Sequence, residues 1–213
     1  MQADLFADSD TRIPLGPQAC VLPGLALPHV DAILAALQDI EALAPPRHMT
    51  TPGGFRMSAA ITNCGRLGWT TDRRGYRYRP EDPLSGQPWP GMPALFMQLA
   101  AEAAAHAGFA DFQPDACLIN HYAPGAGMSL HQDSNERDFD APIVSISLGL
   151  PATFLFGGLQ RNVRPGRILL QHGDVAVWGG ADRLRFHGVL PLADGLHPRL
   201  GRQRINLTLR RAG

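Results

Sequence analysis

Arg204-Ile205-Asn206-Leu207-Thr208-Leu209-Arg210 is the most regular stretch of this 213-residue chain. Successive side chains alternate between the two faces of a β-strand, so the stretch predicts a strand with one apolar and one polar face. The polar face carries the guanidinium groups of Arg204 and Arg210. Because a guanidinium can bind a carboxylate through two parallel hydrogen bonds, this face suits a dicarboxylate. The alternative, an edge strand with exposed arginines, is the commoner arrangement.

Two histidines and an aspartate upstream of this strand form a second pattern. They lie in the triplet His131-Gln132-Asp133 and at His187. Two imidazoles and one carboxylate are the ligands that hold non-haem Fe(II) on one side and leave its other positions open for substrate and O₂. We therefore predict an iron site at His131, Asp133 and His187. Two arginines beside such a site favour 2-oxoglutarate as the dicarboxylate.

A His-x-Asp triplet by itself carries little weight, because the chain contains another one at His172-Gly173-Asp174. This second triplet lies between the apolar runs 167–171 and 175–178. A Gly-Asp pair in that position is typical of a hairpin connection. We predict that it forms a turn and binds no metal.

Length and composition predict one cytoplasmic domain. A chain of 213 residues falls within the range of single domains. Its acidic start, residues 1–8, lacks the basic and apolar segments of a signal peptide, and no apolar stretch is long and uninterrupted enough to span a membrane. The three cysteines form no C-x-x-C pair, which predicts neither a disulfide framework nor a zinc site. We expect a monomer in a reducing compartment.

Charge is balanced overall but not evenly distributed. The 19 basic residues, all of them Arg, equal the 19 acidic ones, which argues against strong non-specific binding of nucleic acid. Residues 66–79 nevertheless contain five arginines interleaved with Trp69, Tyr76 and Tyr78. Such a cluster can stack on bases and hold phosphates. A solvated loop with packed aromatic side chains is an equally good interpretation of this segment alone.

Periodicity divides the chain into helices followed by strands. Apolar residues at helical spacing predict helices at 28–43 and 92–106, which we expect to pack against a sheet. Short apolar segments separated by Gly and Pro predict strands at 116–122, 143–150, 153–156, 167–171, 174–178, 184–190 and 204–210. This pattern predicts a mainly β protein with flanking helices (α+β) and a sandwich or barrel core.

We expect a single catalytic domain over 1–213. It would comprise an N-terminal arm and helix (1–46), a lid that recognises nucleotides (47–91), and a helix plus β core (92–213). The lid residues are rich in Gly, Pro, Arg and Thr and lack clear periodicity. In the strand 116–122, alternation places Asn120 and Tyr122 on one face, where they can share a lumen with His131 and the arginines.

Several segments resemble the AlkB family of Fe(II)- and 2-oxoglutarate-dependent nucleic-acid dealkylases. They are Leu5-Phe6-Ala7-Asp8, Asn63-Cys64-Gly65, Gly68-Trp69-Thr70-Thr71, the run from Asp111 to Asn120, Ala141-Pro142-Ile143-Val144-Ser145, the ligand triplet and the arginine strand. The similarity extends over nearly the whole chain. It implies a double-stranded β-helix, or jelly roll.

The resemblance also implies an activity: oxidative dealkylation repair of N-alkylated bases, such as 1-methyladenine and 3-methylcytosine, in DNA or alternatively in RNA. The substrate would be single-stranded or have its base flipped out. The reaction would use Fe(II) as a cofactor and consume 2-oxoglutarate and O₂. It would release formaldehyde, succinate and CO₂. Two alternatives stay open: a 2-oxoglutarate oxygenase acting on a small molecule or a protein, and a non-catalytic nucleic-acid binding module.

Residue by residue, the resemblance implies that iron is held by His131, Asp133 and His187. It implies that the distal carboxylate of 2-oxoglutarate is bound by Arg204, Asn206, Asn120 and Tyr122, with Arg210 near the metal-bound end. It implies that the flipped base and its backbone contact Trp69 and Tyr76, and that Arg161 lies near the substrate mouth.

Asn135 departs from the bacterial members of the family, in which an aspartate follows the metal-binding aspartate by two positions. Asparagine keeps a hydrogen-bond acceptor near the base but loses the negative charge. We therefore expect cationic methylated bases to remain substrates, with weaker discrimination against neutral lesions. Glu136 would restore the charge if it faced the base, which requires the segment to be a loop.

Overall fold

The computed structural model describes residues 12–213. Residues 1–11, which include the acidic start and the Leu5-Phe6-Ala7-Asp8 part of the resemblance, lie outside the described residues. In chain order the elements are β1 (Ile13–Gly16), β2 (Ala19–Leu22), α1 (Val30–Leu43), β3 (Ala60–Gly65), β4 (Gly68–Asp72), β5 (Gly75–Arg79), α2 (Ala94–His106), β6 (Ala116–Tyr122), β7 (Met128–His131), β8 (Ile143–Gly149), β9 (Ala152–Phe156), β10 (Gly166–Leu170), β11 (Val175–Trp178), β12 (His187–Val189) and β13 (Arg204–Arg210). Short 3-10 helices cover Leu27–His29 and Gly180–Asp182.

Most of the strands form two sheets that pack face to face. The larger sheet has the order β1-β2-β11-β8-β13-β6-β3 and the smaller one β10-β9-β12-β7, and neighbouring strands in both are antiparallel. Phe154 of the smaller sheet packs on Trp178 of the larger one, with ring centroids 5.8 Å apart. The predicted mainly β class with flanking helices is confirmed, and the architecture is a jelly roll.

Both predicted helices are present and pack on the outer face of the larger sheet. The buried stripe of α1 is Val30, Ile33, Leu37 and Ile40. It joins one apolar cluster with α2 and with the outward-facing side chains of β6, β8 and β13. Within residues 12–213 no helix is long and apolar enough to cross a membrane.

The predicted strands are all present, and β6 and β13 have the predicted bounds. The prediction for 184–190 was too long, because the chain forms a 3-10 helix and a turn before β12 begins at His187. We did not predict β1 to β5 or β7. Of these, β3 pairs with β6 in the larger sheet although it lies within the segment assigned to the lid.

β4 and β5 form a separate two-stranded sheet, the lid hairpin (Gly68–Arg79). The base of this hairpin is fixed closely: a Cβ atom on Gly68 would lie 2.4 Å from the indole of Trp89, so only glycine fits there. The Asn63 side chain also bonds both the N–H and the C=O of Trp69, at 3.0 and 3.1 Å. These contacts attach the hairpin to β3 and hence to the core.

Candidate active site

The smaller sheet brings the three predicted metal ligands together. His131 ends β7, His187 begins β12, and the two residues are directly paired across the strands. One ligand atom from each of His131, Asp133 and His187 lies within 4.8 Å of the others. Nε2 of His131 is 3.6 Å from Oδ1 of Asp133, and Nε2 of His187 is 3.4 Å from its Oδ2. Two imidazoles and one carboxylate in this arrangement fit Fe(II).

Backbone carbonyls orient both imidazoles. Nδ1 of His131 lies 2.9 Å from the carbonyl oxygen of Ser129, and Nδ1 of His187 lies 2.9 Å from that of Arg185. A carbonyl can only accept, so each Nδ1 carries the proton and donates it. Each Nε2 is then left with its lone pair for a metal. Burial also lowers the pKa of His131, which favours the neutral form that binds metals.

Asp133 is paired with Arg210 inside the cavity. Nη2 of Arg210 donates to Oδ2 of Asp133 at 2.8 Å, and both side chains are buried. Burial alone would raise the pKa of Asp133, but the charge of Arg210, together with contributions from His187 and His131, holds that pKa well below its ordinary value. The carboxylate is therefore ionised and ready to bind a cation.

The second triplet forms a turn, as predicted, but the predicted hairpin is wrong, because the strands that the turn joins, β10 and β11, belong to different sheets. Gly173 has φ +89°, a conformation that favours glycine. Asp174 accepts hydrogen bonds from the N–H groups of Gly24 and Gln171, at 2.9 and 2.7 Å. Nδ1 of His172 accepts one from the N–H of Gly149 at 2.9 Å. Among residues 12–213, the group of His131, Asp133 and His187 is the one cluster of three such side chains close enough to hold a metal.

The cavity in front of the metal ligands has a volume of about 250 Å³. Its far side consists of the inward-facing side chains of β6 and β13, which we call the co-substrate wall: Asn120, Tyr122, Arg204, Asn206 and Arg210. In the strand register Tyr122 lies opposite Arg204 and Asn120 lies opposite Asn206. The predicted alternation therefore places all five side chains on one surface.

Arg204 is the clearest sign of an anionic ligand. It is only 2% exposed, and its one hydrogen bond is from Nη2 to Oγ of Ser147 at 2.9 Å. Nε and Nη1 are buried without a partner. Burial lowers the pKa of Arg204 to about 10. A buried guanidinium with unpaired donors is costly unless an anion binds it, so this site fits a carboxylate of 2-oxoglutarate.

The other residues of the co-substrate wall differ in whether their polar groups are already hydrogen-bonded within the protein. The Asn120 side-chain oxygen is buried without a partner. Burial raises the pKa of Tyr122 to about 12, so its hydroxyl stays protonated and can donate. Asn206, by contrast, uses Nδ2 to bond Oγ of Ser145 and the carbonyl of Ile146, at 2.8 and 3.0 Å. Both of its N–H donors are therefore engaged within the sheet.

The lid hairpin forms another wall of the cavity. Trp69 and Tyr76 both line it, and their rings stack with centroids 5.5 Å apart and an angle of 19°. Nε1 of Trp69 lies 3.4 Å from Oδ1 of Asn135, which also lines the cavity. The structure thus brings the predicted base-contacting residues Trp69, Tyr76 and Asn135 to the same mouth as the metal ligands.

Glu136 does not face the cavity, so it cannot replace the charge missing at Asn135. Its carboxylate is 5% exposed and is paired with Arg183, whose Nη2 is 3.1 Å from Oε2. The hydroxyl of Tyr78 binds Oε1 at 2.6 Å. Asp133 is the one acidic side chain that lines the cavity among the described residues.

Arg161 is the one predicted site residue that does not line the cavity. It lies in the exposed loop between β9 and β10, with its guanidinium 5.8 Å from the centre of the Phe186 ring. Its predicted place near the substrate mouth stays a prediction.

Sequence reasoning did not identify Arg183 as part of the site, and it considered Tyr78 and Glu136 for other roles, as an aromatic residue that stacks on bases and as a charge beside the base. Arg183 is 2% exposed and donates from Nη1 to the backbone carbonyl of Asp133 at 2.8 Å. Its neighbours along the chain, Asp182, Leu184 and Arg185, show no regular pattern of polarity. The one available signal was the position of Glu136, three residues after the predicted ligand Asp133.

Comparisons with known proteins agree with this geometry. A family model described as the 2OG-Fe(II) oxygenase superfamily matches residues 18–210. The alpha-ketoglutarate-dependent dioxygenase AlkB of Escherichia coli K12 is 54% identical over 211 residues, which are 99% of this chain and 98% of that protein. The nucleic acid dioxygenase ALKBH1 of Homo sapiens is 34% identical over 134 residues, which are 61% of this chain and 34% of that protein.

A solved structure is similar as well. The structure of OsALKBH1 superposes with a TM-score of 0.78 over 94% of this chain and 99% of that chain, at 27% identity. The chain therefore belongs to the 2OG-Fe(II) oxygenase superfamily and, within it, to the AlkB dioxygenases, and is an Fe(II)- and 2-oxoglutarate-dependent enzyme that uses O₂.

Proposed function

We propose that this dioxygenase repairs DNA by removing alkyl groups from N-alkylated bases such as 1-methyladenine and 3-methylcytosine, with RNA as the alternative polymer. The observation that carries the proposal is the shared cavity, which is lined by the stacked Trp69 and Tyr76, by the metal ligands and by Arg204, whose guanidinium keeps two nitrogens without a partner among residues 12–213. Human ALKBH1 is a nucleic acid dioxygenase, which supports extending that substrate class to this chain.

When bound, the Fe(II) centre supplies the oxidation that converts 2-oxoglutarate and O₂ into succinate and CO₂ and hydroxylates the N-alkyl carbon, which then leaves the base as formaldehyde. The chain's part is to bind and orient. His131, Asp133 and His187 would hold the metal on one side. Arg204 would bind the distal carboxylate of 2-oxoglutarate bidentately, through the second N–H of Nη2 and its neighbour Nε or Nη1, because Nη2 gives only one of its hydrogens to Ser147 and Nε and Nη1 have no partner among residues 12–213.

The remaining residues of the co-substrate wall would have separate roles. Tyr122 would donate from its hydroxyl to the same carboxylate as Arg204. Asn120 would do so from its amide nitrogen, because its side-chain oxygen can only accept. Asn206 has no free donor, so it would orient β13 against β8 and support Arg204 rather than donate to the ligand. Arg210 already binds Asp133, which supports a role for it near the metal-bound end of 2-oxoglutarate.

Trp69 and Tyr76 would receive the base. An N-alkyl carbon inside a stacked duplex cannot reach a metal at the base of a cavity, so the nucleotide must be flipped out or already single-stranded. Flipping costs a few kcal/mol, and least for a lesion that cannot pair. Stacking on Trp69 would recover about 1–3 kcal/mol. Arg161 would contact the nucleic acid outside the cavity.

Asn135 would set how the charge of the base is recognised. Its side-chain oxygen accepts the Trp69 indole N–H, which leaves its amide nitrogen as the group without a partner among the described residues. An amide N–H donor suits a base carbonyl better than an exocyclic amine. We therefore expect cationic bases to remain substrates while neutral lesions with a carbonyl, such as 3-methylthymine, are less strongly rejected.

We also propose that the chain works as one catalytic domain, as a monomer, in the cytoplasm. The pairing of β2 with β11 and of β3 with β6 supports a single unit, because both the arm and the lid segment contribute strands to the larger sheet. The sequence contains no C-x-x-C pair among Cys20, Cys64 and Cys117, which supports a reducing compartment. Sedimentation equilibrium would test the monomer.

A panel of single-stranded oligonucleotides, each with one methylated base, tests the proposed function. With Fe(II), 2-oxoglutarate and O₂, we expect formaldehyde and succinate in equal amounts from 1-methyladenine and 3-methylcytosine, and little of either from the unmodified strand. The same sequences in DNA and RNA would rank the two polymers. If no methylated strand increases succinate formation above that with the unmodified strand, the proposal is contradicted.

A further inference from the structure

The lid hairpin contacts the segment after Asp133 at two points. Trp69 and Tyr78 are directly opposite each other on β4 and β5, so their side chains share one face of the hairpin. Trp69 donates from Nε1 to Asn135 at 3.4 Å, and Tyr78 donates from its hydroxyl to Glu136 at 2.6 Å. The two contacts differ because the Tyr78 hydroxyl also contacts another buried side chain of the cavity.

The hydroxyl of Tyr78 has a second partner. Nη1 of Arg210 lies 3.1 Å from the Tyr78 oxygen. A guanidinium can only donate, so the tyrosine oxygen accepts from Arg210 and its proton goes to Glu136. Burial raises the pKa of Tyr78, which keeps the hydroxyl protonated for this role.

These bonds belong to a closed ring around the metal ligand. Nη2 of Arg210 donates to the Asp133 carboxylate at 2.8 Å, and Nη1 of Arg183 donates to the Asp133 carbonyl oxygen at 2.8 Å. Nη2 of Arg183 then reaches Glu136 at 3.1 Å, and Glu136 binds Tyr78. Each guanidinium faces a carboxylate, so the charges balance, and Tyr78 is the neutral group that joins the two pairs.

We propose that Tyr78 is a positioning residue through which the lid hairpin fixes Arg210, and with it Asp133, for metal and co-substrate binding. Nε of Arg210 is 3.6 Å from Glu136, outside hydrogen-bond distance, so the Tyr78 oxygen is the acceptor that defines the direction of Nη1. The inference rests on the proposed function only in assigning 2-oxoglutarate to Arg210. Its test uses no nucleic acid, so a failure of the proposed substrate class would leave it unaffected.

The test is the affinity for 2-oxoglutarate of Tyr78→Phe, which keeps the ring and removes the hydroxyl. Anaerobic titration of the Fe(II)-loaded protein can follow the visible charge-transfer absorption of the Fe(II)–2-oxoglutarate complex. We expect the dissociation constant to rise about two- to tenfold, the effect of losing one hydrogen bond. An unchanged constant would overturn the proposal.

Thr70→Val is the matched control. It removes a hydroxyl from the same hairpin, where Oγ1 of Thr70 donates to the backbone carbonyl of Arg77 at 3.3 Å and belongs neither to the cavity lining nor to the ring around Asp133. We expect its 2-oxoglutarate affinity to equal that of the unsubstituted protein. An equal loss in both variants would show a general effect of lid packing and would also overturn the proposal. Melting temperatures of both variants identify any loss of folding.

A measurement on the unsubstituted protein keeps the proposal testable if Tyr78→Phe does not fold. Amide hydrogen exchange of residues 76–79 is compared with Mn(II) alone and with Mn(II) plus 2-oxoglutarate. If Arg210 connects the co-substrate to Tyr78, the co-substrate should slow exchange in β5. Exchange rates that do not respond to 2-oxoglutarate would contradict the connection.

Discussion

The co-substrate wall and the lid hairpin line one cavity but are built differently. The wall belongs to β6 and β13, which lie in the interior of the larger sheet and are hydrogen-bonded on both edges. The hairpin has only two strands, and Tyr76 is 47% exposed. A sheet interior can hold a charged group such as Arg204 in one place, whereas a hairpin can adjust to the shape of what it covers.

This difference predicts that the two regions determine the affinities for two different ligands. The wall should determine the affinity for the small co-substrate, which is the same in every reaction. The lid should determine the affinity for the nucleic acid, which varies in sequence and lesion. The two regions meet at Arg210, which binds Asp133 on one side and Tyr78 of the hairpin on the other. Apart from variants of Tyr78, which acts on Arg210, variants of the wall and of the lid should have separable effects.

The largest effect is expected for Asp133→Ala, which removes a metal ligand shared by both regions. We expect the affinity for Mn(II) to fall by more than about 100-fold, beyond the effect of altering residues around a ligand. Anaerobic titration with Mn(II) measures it. His172→Ala is the control, because that imidazole lies in a turn and should leave metal binding unchanged. Stoichiometric metal binding by Asp133→Ala would refute the assigned site.

Arg204→Lys should have the next largest effect, confined to the wall. Lysine keeps the charge but cannot bind a carboxylate through two parallel hydrogen bonds. We expect the KM for 2-oxoglutarate to rise about 10-fold or more, the effect of losing a hydrogen bond between charged groups. Steady-state kinetics at saturating oligonucleotide measures this change. A raised KM for the oligonucleotide instead would assign Arg204 to phosphate binding.

Trp69→Ala should have a smaller effect, confined to the lid. Loss of stacking should weaken the binding of an oligonucleotide containing 3-methylcytosine by about 1–3 kcal/mol. Fluorescence anisotropy without O₂ measures binding, and thermal melting measures stability in parallel. A large drop in melting temperature would show that Trp69 is needed for the core rather than for the substrate.

Asn135→Asp should have the smallest effect and act on selectivity alone. An added carboxylate favours cationic bases, so the kcat/KM ratio of 3-methylcytosine to 3-methylthymine should increase. Because Glu136 is buried against Arg183, Glu136→Ala should lower stability without narrowing that ratio. If neither substitution changes the ratio, position 135 does not contact the base.

Sequence reasoning succeeded for the wall and failed for most of the lid, for a physical reason. Leu118, Asn120 and Tyr122 alternate with apolar residues that face the helices, and this alternation is visible along the chain. β3 has polar Thr62 and Asn63 among its buried residues, because both bond backbone groups elsewhere, so its alternation is lost.

The ring of hydrogen bonds around Asp133 could not be predicted from the sequence, for a different reason. Tyr78 and Glu136 are 58 residues apart, and Arg183 and Glu136 are 47 apart. No local pattern indicates which of the 19 basic residues will be buried against which carboxylate. The resemblance supplied the roles of Trp69 and Tyr76, which the mixed Arg and aromatic composition of residues 66–79 left undecided. Such pairings depend on the tertiary fold.

The most direct test of the separate roles of the wall and the lid is to measure how a variant of each region binds each of the two ligands. Arg204→Lys and Trp69→Ala are each titrated, as Mn(II)-loaded proteins without O₂, with 2-oxoglutarate and with the 3-methylcytosine oligonucleotide. We predict that Arg204→Lys loses affinity for 2-oxoglutarate alone and Trp69→Ala loses affinity for the oligonucleotide alone. Similar losses for both ligands in both variants would contradict the account.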